Sequence, residues 1–122
     1  MENKTLRNMN IEIYGPICMG GYVVCKNNPL TMHHIIPLSE GGKTTFENGS
    51  NISNLAHTGI HIVSYDDYVK AREIIDYLLY YKEFKDDQAR LDFAIWLRNE
   101  ITKLEYVETL TKDKLLMYKR RR

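Results

Sequence analysis

The stretch His33-His34-Ile35-Ile36-Pro37-Leu38-Ser39-Glu40-Gly41-Gly42, followed by His57-Thr58-Gly59-Ile60-His61, holds all four histidines of the chain. His33 and His34 stand side by side in an apolar, strand-like segment, and successive strand residues point to opposite faces. The pair therefore divides its work, one imidazole suiting a metal ion and the other a substrate. The His-x-x-x-His spacing of His57 and His61 predicts a helix, since residues i and i+4 share a face with Cβ atoms about 5–6 Å apart and can grip one ion together. Asn54 or Ser53 stands where that helix needs an N-cap. One strand histidine would complete a three-imidazole site with an open coordination position, as a catalytic metal requires. A lone histidine is usually a surface or hydrogen-bonded core group, but four at this spacing read as a site.

Outward from this stretch, the texture of the chain changes near residue 65. Before it, Gly, Asn, Pro and Thr are frequent and the apolar runs are short. Ile11–Tyr14, Tyr22–Cys25 and Met32–Ile36 read as short strands separated by turns at Gly15-Pro16, Gly20-Gly21 and Asn27-Asn28-Pro29. Gly41-Gly42 marks a sharp loop after the third. Beyond residue 65 there is no glycine or proline, and the period becomes helical. Asp66-Asp67 predicts an N-cap, with Tyr68, Ala71, Ile75, Leu78 and Leu79 as the first stripe. A break near Lys85-Asp86-Asp87 precedes a second stripe of Phe93, Leu97, Ile101 and Leu104, flanked by Trp96, which is expected against the first helix. A weaker third helical segment is expected from about Thr109. The stripes read as core, and the expected arrangement is one compact unit with a functional core at 1–65 and a helical extension at 66–122.

Composition bounds the rest. The 122 residues, 43% hydrophobic and 27% charged, suit one soluble domain with one modest core. No apolar run approaches the ~18 residues of a membrane span, and Met1-Glu2-Asn3-Lys4 opens no secretory signal, so a cytoplasmic chain is expected. Cys18 and Cys25 are too few for a disulfide framework and are expected as buried thiols. The net charge of +1 gives no overall basic field. Residues 112–122, however, carry Lys112, Lys114, Lys119, Arg120, Arg121 and Arg122 against Asp113 alone, a tail able to lie along phosphates or simply to stay solvated.

The run His33-His34-Ile35-Ile36-Pro37-Leu38-Ser39-Glu40-Gly41-Gly42, then Thr45-x-x-Asn48, then His57-x-x-x-His61, resembles the HNH endonucleases. The double histidine is most similar to the subgroup of the colicin and pyocin DNases. The resemblance spans roughly residues 14–64. It implies an α+β fold: a ββα-metal core, two short strands joined by a long loop and followed by a crossing helix, here with a C-terminal α-helical hairpin appended. It implies further that His34 is the general base, that His33, His57 and His61 hold one divalent metal ion, and that an asparagine braces the loop. Asn48 fits the spacing best, with Asn51 and Asn54 as rivals. The implied activity is metal-dependent hydrolysis of phosphodiester bonds in DNA, most naturally double-stranded, in a phage or mobile-element setting. Lys43, Lys119, Arg120, Arg121 and Arg122 are the candidate nucleic-acid contacts, and the tyrosine-rich helix offers a face for a homodimer.

Two departures bear on this. Most relatives have Asp where His33 stands, which would suit Mg²⁺ or Mn²⁺; three neutral imidazoles favour Zn²⁺ or Ni²⁺. Many relatives also carry two Cys-x-x-Cys pairs, whereas this chain has only Cys18 and Cys25. The main alternative is a catalytically inactive module of the same fold that binds nucleic acid or protein around a structural metal. RNA as substrate, single-strand nicking and a toxin with a cognate inhibitor are further readings.

Overall fold

The computed structural model describes residues 2–121, and side chains as far as residue 104. The chain opens with helix α1 (Asn3–Tyr14), which buries Leu6 and Asn10 and stops at Gly15 with φ of 85°. Two strands follow, β1 (Leu30–His34) and β2 (Gly49–Ser53), paired antiparallel with Thr31 opposite Ile52, Met32 opposite Asn51 and His34 opposite Gly49. The loop between them leaves β1 through a single 3-10 turn, Leu38–Glu40. Gly41 then takes the left-handed conformation at φ 89°. At Gly42, a Cβ would lie 1.8 Å from the Ile36 carbonyl oxygen, so only a residue without a side chain lets the loop fold back on its own strand.

β2 runs directly into helix α2 (Asn54–Ser64), whose first turn is capped by Ser53 Oγ accepting from the Ala56 N–H. Helix α3 (Tyr68–Phe84) is capped by Asp67, which accepts from the Lys70 N–H, and ends at Lys85 in the left-handed region with its N–H on the Tyr81 carbonyl. Helix α4 (Asp87–Arg121) follows at once, with Asp86 accepting from the N–H groups of Gln88 and Ala89. α3 and α4 form the expected hairpin, closed by Trp96 against Tyr77 and by the Lys70–Glu100 ion pair. The architecture is a mixed α+β ββα core with C-terminal helices. Its hydrophobic core is continuous: Ile35 and Ile52 of the hairpin region, Ile60 and Val63 of α2, Leu78 of α3 and Leu97 of α4 are buried in one cluster. Among the described residues, no helix is long and apolar enough to cross a membrane.

Several expectations need correction. Ile11–Tyr14 is the last turn of α1, not a strand. The helical stripe there is Leu6, Asn10 and Tyr14, and the polar Asn10 in its middle hides it from a hydrophobicity reading. Tyr22–Cys25 forms no strand, only an isolated bridge from Cys25 to Asn28. The first true strand ends at His34, not Ile36. In α3 the buried face is Ile74, Leu78 and Tyr81, while Tyr68 is exposed. No separate segment begins at Thr109, because α4 is continuous through it. Cys18 is buried, its Sγ accepting from the Ser53 N–H, but Cys25 is exposed.

Candidate active site

β1 and α2 bring three imidazoles to one point. His33 projects from β1, His57 and His61 from adjacent turns of α2, and one ring nitrogen of each lies within 4.8 Å of the others. His57 and His61 stack with centroids 4.7 Å apart, and His33 meets His57 edge-on. His33 is the buried member, while His61 opens to solvent.

The hydrogen bonds around His57 fix its tautomer. Thr31 Oγ1 donates its one hydrogen to the Ile52 carbonyl at 2.9 Å. Toward His57 Nδ1, 2.8 Å away, the same oxygen can therefore only accept. The proton sits on Nδ1, and the Nε2 lone pair points at His33 Nδ1, 3.4 Å away. This is the outer-sphere arrangement that orients a metal-ligating histidine. The separation also fits: two nitrogens bound tetrahedrally at 2.0–2.1 Å lie about 3.3–3.4 Å apart. Burial, and then the neighbouring His57, His61 and His34, push His33 down to about 3. His57 is lowered by the same kind of burial, with His61 and His34 adding to it. Both are neutral at pH 7, so each keeps one unprotonated ring nitrogen for a metal ion. The donor set fits a divalent ion of the kind that prefers nitrogen.

His34 looks the other way. Its Nε2 lies 3.1 Å from Thr44 Oγ1 in the loop, and its ring lines a cavity of about 270 Å³ together with Met32, His33, Leu38, His57 and His61. The loop is braced by Asn48. Its Oδ1 accepts from the Ile36 N–H at 2.8 Å, and its Nδ2 donates to the carbonyls of Ile36 and Lys43 at 3.0 and 2.8 Å. Its own carbonyl accepts from the Ile35 N–H. Asn51 instead donates to the Arg7 carbonyl, and Asn54 sits in the first turn of α2.

Of the candidate nucleic-acid contacts, Lys43 is exposed on this loop. The side chains of Lys119, Arg120, Arg121 and Arg122 lie outside the described residues. Sequence reading missed Thr31, Thr44, Lys4 and Arg7. The last two line a cavity of about 350 Å³ with Thr31 and Met32, and Met32 also borders the histidine cavity. Thr31 was findable, since it lies two residues before His33 and so shares its strand face. Thr44, Lys4 and Arg7 carried no local signal. A cavity of about 600 Å³ between α3 and α4 is lined by Glu73, Asp76, Asp86 and Asp92 and none of the histidines, a lining that repels a polyanion.

Comparison with known proteins places residues 20–61, about a third of the chain, in a match to the HNH endonuclease family as a whole. No curated protein and no solved structure matches the chain.

Proposed function

We propose that this chain, whose residues 20–61 carry an HNH endonuclease domain, is a metal-dependent endonuclease hydrolysing phosphodiester bonds in double-stranded DNA. The observation that carries the reading is one cavity lined both by His34 and by His33, His57 and His61, whose ring nitrogens converge. Thr44 Oγ1 lies 3.1 Å from His34 Nε2; accepting from an Nε2–H there, it would leave Nδ1 as the nitrogen that takes a proton from the attacking water. That water forms a bond to phosphorus as the bond to the 3′ oxygen breaks. Asn48 holds the loop, and with it Thr44, in register with the base. Bound by His33, His57 and His61, a divalent ion supplies positive charge against the oxygens that become more negative, and three imidazoles favour Zn²⁺ or Ni²⁺ over Mg²⁺. Lys43 at the loop, and Lys4 and Arg7 lining the adjoining cavity, are the cations that would meet flanking phosphates.

The near-neutral charge of +1 favours a second reading, a binding module built around a structural metal. One experiment separates the two. The protein and its His34→Ala variant are incubated with supercoiled plasmid, and in parallel with a structured RNA, under Mg²⁺, Mn²⁺, Ni²⁺, Zn²⁺ or EDTA. Metal-dependent plasmid cleavage that the variant loses supports the nuclease. If both proteins bind metal tightly and neither cuts, the site is structural.

A further inference from the structure

α3 reaches into the catalytic loop through one side chain. Lys82 Nζ donates to the Phe46 carbonyl at 2.7 Å and to Asn10 Oδ1 at 2.7 Å. The ammonium lies 3.8 Å from the centroid of the Phe46 ring and 5.0 Å from that of Tyr14, two rings stacked at 6.2 Å. Tyr14 in turn donates its hydroxyl to the Lys82 carbonyl at 2.7 Å. Lys82 thus ties α1, the loop and α3 at one point. Such a cation is expensive to bury, and burial draws it down to about 8 with Glu47 opposing. Two short hydrogen bonds and two aromatic faces offset that cost.

The point it grips matters. Phe46 stands midway between Thr44, which bonds His34, and Asn48, which braces the strand. Its carbonyl also accepts from the Gly49 N–H at the start of β2. The loop is fastened at both ends by its own residues, and Lys82 fastens its middle from a helix outside the ββα core.

Resting on the nuclease reading above, we infer that Lys82 is a positioning residue, holding the Phe46 carbonyl so that Thr44 stays on His34. The helical extension thereby acts on the general base without touching the substrate.

The test compares the full-length protein with Lys82→Met, which keeps the stem and removes the donor, and with Lys82→Arg, which restores a cation. Expected for Lys82→Met is at least a tenfold fall in kcat on plasmid, with KM and Co²⁺ affinity within twofold of the parent. Lys82→Arg should recover kcat to within about threefold of the parent. An unchanged kcat in Lys82→Met, or a fall in Co²⁺ affinity parallel to the fall in kcat, overturns the inference. NMR gives an arm that needs no activity and no variant that folds poorly. In the parent protein the Lys82 Nζ protons should exchange slowly enough to give a cross-peak, and a missing cross-peak overturns the inference. In Lys82→Met the His34 imidazole ¹⁵N signals should shift, and signals unmoved there count equally against it. If the parent cuts no nucleic acid while these NMR signatures appear, the nuclease reading fails and the loop tether stands.

Discussion

Asn48 does with one amide group what a strand pair does with several. It satisfies the N–H and the carbonyl of Ile36 and the carbonyl of Lys43, all within 3.0 Å, while almost fully buried. Removing it leaves one donor and two acceptors of the part-buried loop without their partner, so Asn48→Ala should cost about 1–3 kcal/mol. Urea unfolding of the metal-free protein would show this, and a loss under about 0.5 kcal/mol would contradict it. Thr31 makes a subtler demand, because its hydroxyl decides which nitrogen of His57 carries the lone pair. Thr31→Val keeps the shape and loses that choice, so divalent-ion affinity should fall about 10–100-fold by chelator competition. Affinity equal to the parent's would show that the tautomer is set elsewhere. The contrast between these residues and the histidines marks what a sequence displays. His33, His57 and His61 were readable because ligation needs their own side-chain type at a helical or strand spacing. Thr31 and Thr44 work through hydroxyls that occur everywhere, and only the folded hairpin and loop show which of them count.

Elements were readable where local signals agreed with tertiary burial. α3 and α4 announced themselves through Asp67, the break at Lys85 and the stripe holding Phe93 and Leu97, all of which recur in the structure as caps and core. α1 was hidden by Asn10, a buried polar residue that bonds the Leu6 carbonyl and receives Lys82. β2 was hidden more thoroughly. Gly49-Ser50-Asn51-Ile52-Ser53 is buried along its whole length, so it shows neither alternation nor an apolar run. The loop before it makes a testable contrast between adjacent glycines. At Gly41 an added Cβ meets open space, so Gly41→Ala should cost only the left-handed strain, about 1–2 kcal/mol. At Gly42 the same methyl meets the Ile36 carbonyl and the whole loop must shift. Gly42→Ala should therefore be the more destabilising by at least about 2 kcal/mol and should broaden the His34 and Thr44 resonances. Equal melting temperatures for the two variants would contradict the close approach.

The whole molecule ties its candidate metal site to its stability, because the hairpin that carries His33 lies against the core shared with α2, α3 and α4. The ββα unit at the centre was legible through the resemblance to the HNH endonucleases and not from strand patterning, and this shared core was not legible at all, since stripes show which face is buried and never against what. Burying His33 neutral has a consequence across the molecule. Its imidazole falls from 6.5 to about 3 on folding, so at intermediate pH the unfolded chain holds a proton that the native state lacks. Stability then rises with pH through that window and is lost as pH falls from 6.5 toward 3, at about 1.4 kcal/mol per unit for one group. Stopping at pH 5 keeps most carboxylates out of the comparison, and there the expected loss from His33 is about 2 kcal/mol relative to pH 6.5 and above. His57, lowered for the same reason, adds to it. Chelator-treated protein unfolded in urea at pH 7.5 and pH 5 should show this fall, and His33→Gln should retain about 2 kcal/mol more of its own stability over the same interval. A parent and variant that weaken equally would mean that His33 takes its proton in the folded protein, and that its lone pair is not held ready for a metal.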